Sequence, residues 1–236
     1  MWSCPPNWPP LVDGPESTCW TVIQGAAAGS AGDRAEFARR YGPVVRAYLA
    51  SRWQSSSSRH EIDDAVQEVF LECFKQDGVL ERADRGRGDF RPFLFGVARH
   101  VALRVEGARS RRERHQVPGS DLEAMPDDGP SPSRAFDRAW ARALFREAGL
   151  VQGRKAADSG AAACRRVELL RLRFQENLPV REIARRWGME AAVLHHEYAK
   201  ARQEFKAALI EVVAFHHPGS PAEVERECAN LLVSLG

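Results

Sequence analysis

The stretch Glu61–Phe74, EIDDAVQEVFLECF, constrains this chain more than any other. Ile62, Ala65, Val66, Val69, Phe70, Cys73 and Phe74 recur at three- and four-residue steps. That spacing builds one face of an α-helix and is incompatible with the two-residue alternation of a half-buried strand. The opposite face carries Asp64, Gln67, Glu68 and Lys75, with Leu71 set among them. The pattern predicts a helix that closes near Asp77-Gly78.

The same period recurs along the chain. Asp33 to Trp53 reads as a helix with Phe37, Tyr41, Val44, Val45, Tyr48 and Leu49 apolar, and Pro43 should kink or split it. Gln54 to Arg59, with four consecutive serines, reads as a flexible connection. Phe90 to Val105 reads as a helix with Pro92 in its first turn; Phe90, Phe93, Leu94, Val97, Val101 and Val105 form its buried stripe. A basic run follows, Arg104, Arg109, Arg111, Arg112 and Arg114. Residues 116–132, rich in Pro, Gly and Asp, form a flexible acidic linker. Ser133 starts another helix with Phe136, Trp140 and Leu144 on one side, whereas 149–160 reads equally as loop or short helix. Cys164 to Gln175 is helical, with Val167, Leu170 and Phe174 inward. From Leu178 to Phe205, Ile183, Ala184, Trp187, Gly188, Met189 and Leu194 fit the spacing of a helix-turn-helix. Its second helix runs on through Tyr198, Ala201, Phe205, Ala208, Leu209 and Val212. Ser220, Pro221 and Glu223 make a capping box for a last helix, with Val224, Cys228, Leu231, Leu232 and Leu235 inward. The expected fold is therefore all-α: two small helical domains at 33–115 and 133–213, joined by the linker. A tail at 1–32 precedes them and a helical extension at 214–236 follows.

Composition narrows the function classes. A net charge of +2 excludes a globally basic nucleic-acid binder, so any such role rests on local patches. Five scattered cysteines without a CxxC give neither a disulfide framework nor a zinc ribbon. The apolar runs are too short to span a membrane, and the N-terminus lacks the basic and apolar regions of a secretory signal, so the expected residence is cytoplasmic. No phosphate loop, HExxH or paired nucleophile and base is present, which argues against an enzyme and implies no cofactor or small-molecule substrate. His195 and His196 are adjacent on a helix and diverge by about 100°, a poor arrangement for a metal.

Asp64-Ala65-Val66-Gln67-Glu68-Val69-Phe70, Gly88-Asp89-Phe90-Arg91-Pro92-Phe93-Leu94 and Val97-Ala98-Arg99-His100, in that order and followed by a helix-turn-helix, resemble bacterial RNA polymerase sigma factors of the extracytoplasmic-function (ECF) group. Thr18-Cys19-Trp20 looks like the opening of a subgroup with N- and C-terminal extensions. On its residues alone it is a short apolar patch that packs on the first domain. The resemblance implies a core- and minus-ten-binding region 2 and a minus-thirty-five-binding region 4. It implies that Asp64, Gln67, Glu68 and Leu71 meet core RNA polymerase, with Leu71 and Gln67 exposed. It implies promoter minus-ten contacts by Arg85, Arg87, Phe90, Arg91, Arg99, His100, Arg104 and Arg109, with Phe90 and His100 lining a pocket for unstacked bases. His100 stands where the family commonly has Asn, and Arg104 where it commonly has Asp; the second departure removes an intradomain partner and turns a positive charge toward DNA.

For the minus-thirty-five duplex the candidates are Arg181, His195, His196, Lys200 and Arg202. Glu197 is an anion where a cation is common; it opposes phosphate or accepts from a cytosine amino group. Histidines change charge near neutral pH, so duplex binding through His195 and His196 would strengthen in mild acid. An anti-sigma factor is an open candidate partner. Two rival readings remain: a helix-turn-helix transcriptional regulator, and a sigma-like interaction protein without promoter activity.

Overall fold

The computed structural model describes residues 18–54, 57–83, 89–116 and 132–235. Among them it contains nine α-helices and no strand, which establishes the all-α class: α1 (Cys19–Ala27), α2 (Ala31–Arg52), α3 (Ile62–Phe74), α4 (Phe90–Gln116), α5 (Pro132–Ser159), α6 (Ala161–Phe174), α7 (Val180–Trp187), α8 (Ala191–His216) and α9 (Pro221–Leu235). Short 3₁₀ turns at Ser57–Glu61 and Val79–Arg82 precede and follow α3. Two compact units emerge, one of Ser17–Ala143 with Ala229–Gly236, the other of Leu144–Cys228. The first unit therefore runs past the linker to Ala143, where the sequence suggests a boundary at 132.

The core of the first unit is aromatic. Phe37 meets Tyr41, Phe70, Phe74 and Phe90 with ring centroids 4.7–6.0 Å apart, mostly edge to face. Trp20 of α1 adds an edge contact to Phe90 at 6.1 Å, so the Thr-Cys-Trp opening is a packed helix of this core. Arg34 closes two helix ends together: Nε donates to the Ala26 carbonyl at 3.0 Å and Nη2 to that of Phe74 at 3.1 Å. Both carbonyls belong to last turns that have no partner within their own helix. At the other end of the chain segment, Trp140 stacks on Tyr41 at 5.7 Å and Phe136 packs against Tyr48 and Phe95.

Several boundaries differ from expectation. α2 runs unbroken through Pro43. Tyr41, Val44 and Val45 are fully buried around it, and that burial outweighs the hydrogen bond the proline cannot make. α3 ends at Phe74, short of Gly78. α4 continues through the basic run to Gln116, held by partners far away in sequence: Glu106 accepts from Arg52 Nε at 2.7 Å and Trp53 Nε1 at 2.8 Å, and Arg109 donates to Ser58 Oγ at 3.1 Å. α5 passes through Gly149 and stops before Gly160, whose φ of +97° breaks the helix.

In the second unit Leu169, Leu172, Val180, Ile183, Ala184 and Leu194 form one core, covered in part by Trp187, Met189 and Tyr198. Gly188 ends α7 in the left-handed region, φ +61°, and the Met189 N–H reaches back to the Ala184 carbonyl at 2.9 Å. The helix, turn and helix expected over Leu178–Phe205 thus lie at α7 and α8. Two stripe residues are corrected. Phe174 is 67% exposed because α6 ends there and the chain turns away through Asn177, and Leu232 of α9 is 58% exposed. The capping box of α9 is formed, with Ser220 N–H donating to Glu223 Oε2 at 2.7 Å and Glu223 N–H to Ser220 Oγ at 3.4 Å.

Candidate functional site

α3 buries Ile62, Ala65, Val66, Val69 and Cys73 and turns the intervening residues outward. Burial pushes the Cys73 thiol up to about 12, so it is an unreactive core group. Asp64 and Gln67 are exposed, and Leu71 is 63% exposed between polar neighbours. A solvated apolar side chain ringed by amide and carboxylate groups is a surface suited to a protein partner. Glu68 is engaged within the unit: it accepts from Arg104 Nη2 at 2.5 Å, while Glu72 accepts from Arg104 Nη1 at 2.9 Å and from Lys75 at 2.5 Å. The hydrogen bonds from Lys75 and Arg104 hold the Glu72 carboxyl below its ordinary pKa. Arg104 therefore does not simply project toward DNA. Arg104 instead ties α4 to two carboxylates of α3.

On α4, Arg99 and His100 are exposed. Arg91 is half-buried beside Asp137 at 3.6 Å, and Arg109 is half-buried against Ser58. Phe90 corrects an expectation. It is 1% exposed and enclosed by Trp20, Phe37, Tyr41 and Phe93, so it supports the core and offers no face on which a base could stack. Arg85 and Arg87 lie outside the described residues, as does residue 88 of the glycine-containing loop. The exposed groups of α4 that remain can neutralise a nucleic-acid backbone and hydrogen-bond a base edge.

In the second unit Arg181, His195, His196, Lys200 and Arg202 are all exposed. Arg202 lies over the Tyr198 ring, 5.8 Å from its centroid. Glu197 accepts from Arg166 of α6 at 3.2 Å and sits 3.6 Å from Lys200. Burial alone would raise its carboxyl, but the hydrogen bond from Arg166 and the nearby Lys200 charge bring it below the usual value. The anion on α8 is thus already compensated by α6, a partner 31 residues away that local sequence could not reveal. Arg185 pairs with Glu182 and Arg171 with Glu168 and Glu176, so much of the local positive charge is spent internally.

Among the described residues, no group of three or more His, Cys, Asp or Glu is arranged to hold a metal ion, and no helix is long and apolar enough to cross a membrane. Residues 37–114, about a third of the chain, match the family model for sigma-70 region 2. The match covers α3, the larger part of α2, and α4 up to its last turn, and it supports a sigma-factor role in RNA polymerase binding and promoter melting. Comparison with curated proteins and with solved structures returns no significant match.

Proposed function

We propose that this chain is a sigma factor of the ECF type with extensions at both ends, which binds core RNA polymerase and directs promoter recognition, DNA melting and transcription initiation. The observation that carries the proposal is the exposed Leu71, flanked by Asp64 and Gln67, on the α3 helix of a unit that matches sigma-70 region 2. In this reading α3 meets the polymerase. Arg91, Arg99, His100 and Arg109 of α4 act at the minus-ten element. α7 and α8 form the helix-turn-helix of region 4, with Arg181, His195, His196, Lys200 and Arg202 toward the minus-thirty-five duplex. The chain supplies binding and positioning, is no enzyme, and works in the cytoplasm without a cofactor; the chemistry of RNA synthesis belongs to the polymerase.

Reconstitution tests it: the full chain with sigma-free core polymerase on a sizing column, then transcription from a genomic promoter pool. A stoichiometric complex with defined start sites is expected. A complex that yields no transcripts would favour the sigma-like interaction protein, a reading supported by the internally paired charges around α7 and α8. No complex at all would leave the helix-turn-helix regulator. Leu71→Asn should leave stability within about 0.5 kcal/mol, since the side chain is exposed. It should weaken the polymerase complex by about 2 kcal/mol, near 30-fold, if Leu71 is the apolar anchor of the contact. Equal affinities of native and variant chains would remove α3 from the interface.

A further inference from the structure

The second unit holds an open cavity of about 370 Å³ between α6 and the turn that joins α7 to α8. That volume lies within the roughly 300–1,000 Å³ of small-molecule sites. Much of its lining is apolar: buried Leu169 and Leu194, half-buried Trp187 and Met189, and Val193, which is 48% exposed. α8 brings Val193, Glu197 and Lys200 to this side at steps of four and three residues. Charged groups complete the lining, three cations against one anion. Arg166 is already engaged, since its Nε donates to Glu204 at 2.8 Å and its Nη1 to Glu197 at 3.2 Å. Lys200, 3.6 Å from Glu197, shares that same carboxylate. Arg165 is different. It is half-buried at the cavity and has no hydrogen bond or ion pair among the described residues. A guanidinium drawn partly out of water without a counter-ion is costly until an anion completes it.

We infer that this cavity is a binding site for a small organic carboxylate with a flat apolar body. The carboxylate head meets Arg165, and the body lies against Trp187, Met189 and Val193. The planar fork of a guanidinium matches a carboxylate in a two-point contact. One uncompensated cation calls for a single negative charge, which a carboxylate carries and a phosphate monoester exceeds. The apolar lining supplies the rest: a body seated there covers Val193 and part of the Trp187 ring, and removes their surface from water. The inference uses groups of the second unit alone, so it stands apart from the polymerase reading of α3.

The test uses the full chain and two probes, 1-naphthoate and its uncharged counterpart 1-naphthamide. The chain has only three methionines, so isotopic labelling of their methyl groups gives a simple nuclear magnetic resonance spectrum, in which Met189→Leu assigns the cavity signal. Naphthoate should shift the Met189 methyl saturably through its ring current, with a Kd of about 1 mM or below for a ligand of this size. Naphthamide should bind about 10-fold more weakly, because it forgoes the charge-assisted bonds. Arg165→Gln should weaken naphthoate by about the same factor and leave naphthamide unchanged, a pattern that a purely structural role of Arg165 would not produce. Arg165→Lys should recover part of the loss. Thermal unfolding checks that the variants fold, as expected where a side chain has no partner to lose. Val193→Glu, at an exposed position of the lining, should also weaken naphthoate more than naphthamide, and decides the matter if Arg165→Gln does not fold. No saturable Met189 shift below about 10 mM naphthoate, equal affinity for acid and amide, or naphthoate binding indifferent to Arg165→Gln would each overturn the site.

Discussion

Phe90 offers the sharpest test of the first unit, because its two possible roles predict opposite results. The side chain is 1% exposed. Its ring lies 5.0 Å from that of Tyr41, 5.7 Å from those of Phe37 and Phe93, and 6.1 Å from that of Trp20. Phe90→Ala removes a buried ring and leaves a cavity that four other rings can fill only in part. Truncations of this kind cost about 3–5 kcal/mol, and the lost aromatic geometry favours the upper half of that range. For a unit of this size the melting temperature should fall by on the order of 10 °C or more. Urea unfolding of the full chain, followed by far-ultraviolet circular dichroism and by the fluorescence of the buried Trp20, Trp53 and Trp140, measures the loss. Phe90→Leu keeps most of the apolar volume and should recover more than half of it. A loss below about 1 kcal/mol for Phe90→Ala, joined to weaker binding of single-stranded DNA, would refute the core assignment and restore Phe90 as a stacking platform.

Two further substitutions probe the frame around the site. Glu106→Gln should destabilise the first unit by about 1–3 kcal/mol at neutral pH, because it removes the carboxylate charge facing Arg52 and leaves one acceptor oxygen where Arg52 and Trp53 donate to two. Burial opposes ionisation of Glu106, but those bonds outweigh it and its pKa lies below the ordinary value. Its stabilisation is therefore present above the ordinary carboxylate range and is lost as pH falls through the lowered pKa, so the deficit of the variant should shrink in acid; a deficit that is constant with pH would count against this account. Gly188→Ala meets no atom within 4 Å but forces a side chain to φ +61°, and should cost the second unit about 1–2 kcal/mol in urea unfolding. Gly188→Asn should cost less, and equal losses would show that backbone strain is not the cause.

What could be read from the sequence was local. The face of α3, the glycine turn at Gly188 and the capping box of Ser220 and Glu223 are each decided within a few residues, and each is present. What could not be read depends on distant partners. Proline at 43 is a sound reason to expect a break, and only the packing of Tyr41, Val44 and Val45 explains why none occurs. The basic end of α4 looks like a helix losing its core, yet Arg52, Trp53 and Ser58 anchor it from about fifty residues away. The charges followed the same rule. Arg104 invites assignment to DNA until Glu68 and Glu72 are seen beside it, although their spacing of four on the helix next in the unit was an available hint. Phe90 sits in a motif whose resemblance suggests bases, while its apolar period placed it in the core; the period was the better guide.

The segment that matches the sigma-70 region 2 model is shorter than the unit that folds. Residues 37–114 match region 2, but Trp20 and Ile23 precede them, Phe136 and Trp140 follow, and all four are buried in the same unit. A fragment cut at the signature would lay bare Phe90 on one side and Tyr41 and Tyr48 on the other. It would present a sticky aromatic surface to solvent and lose cooperativity before it lost helices. The matched span and the folded unit thus have different borders on this chain. Domain-swap or truncation experiments that follow the matched border would measure aggregation, while those that run from Thr18 to Ala143 would keep the aromatic shell closed.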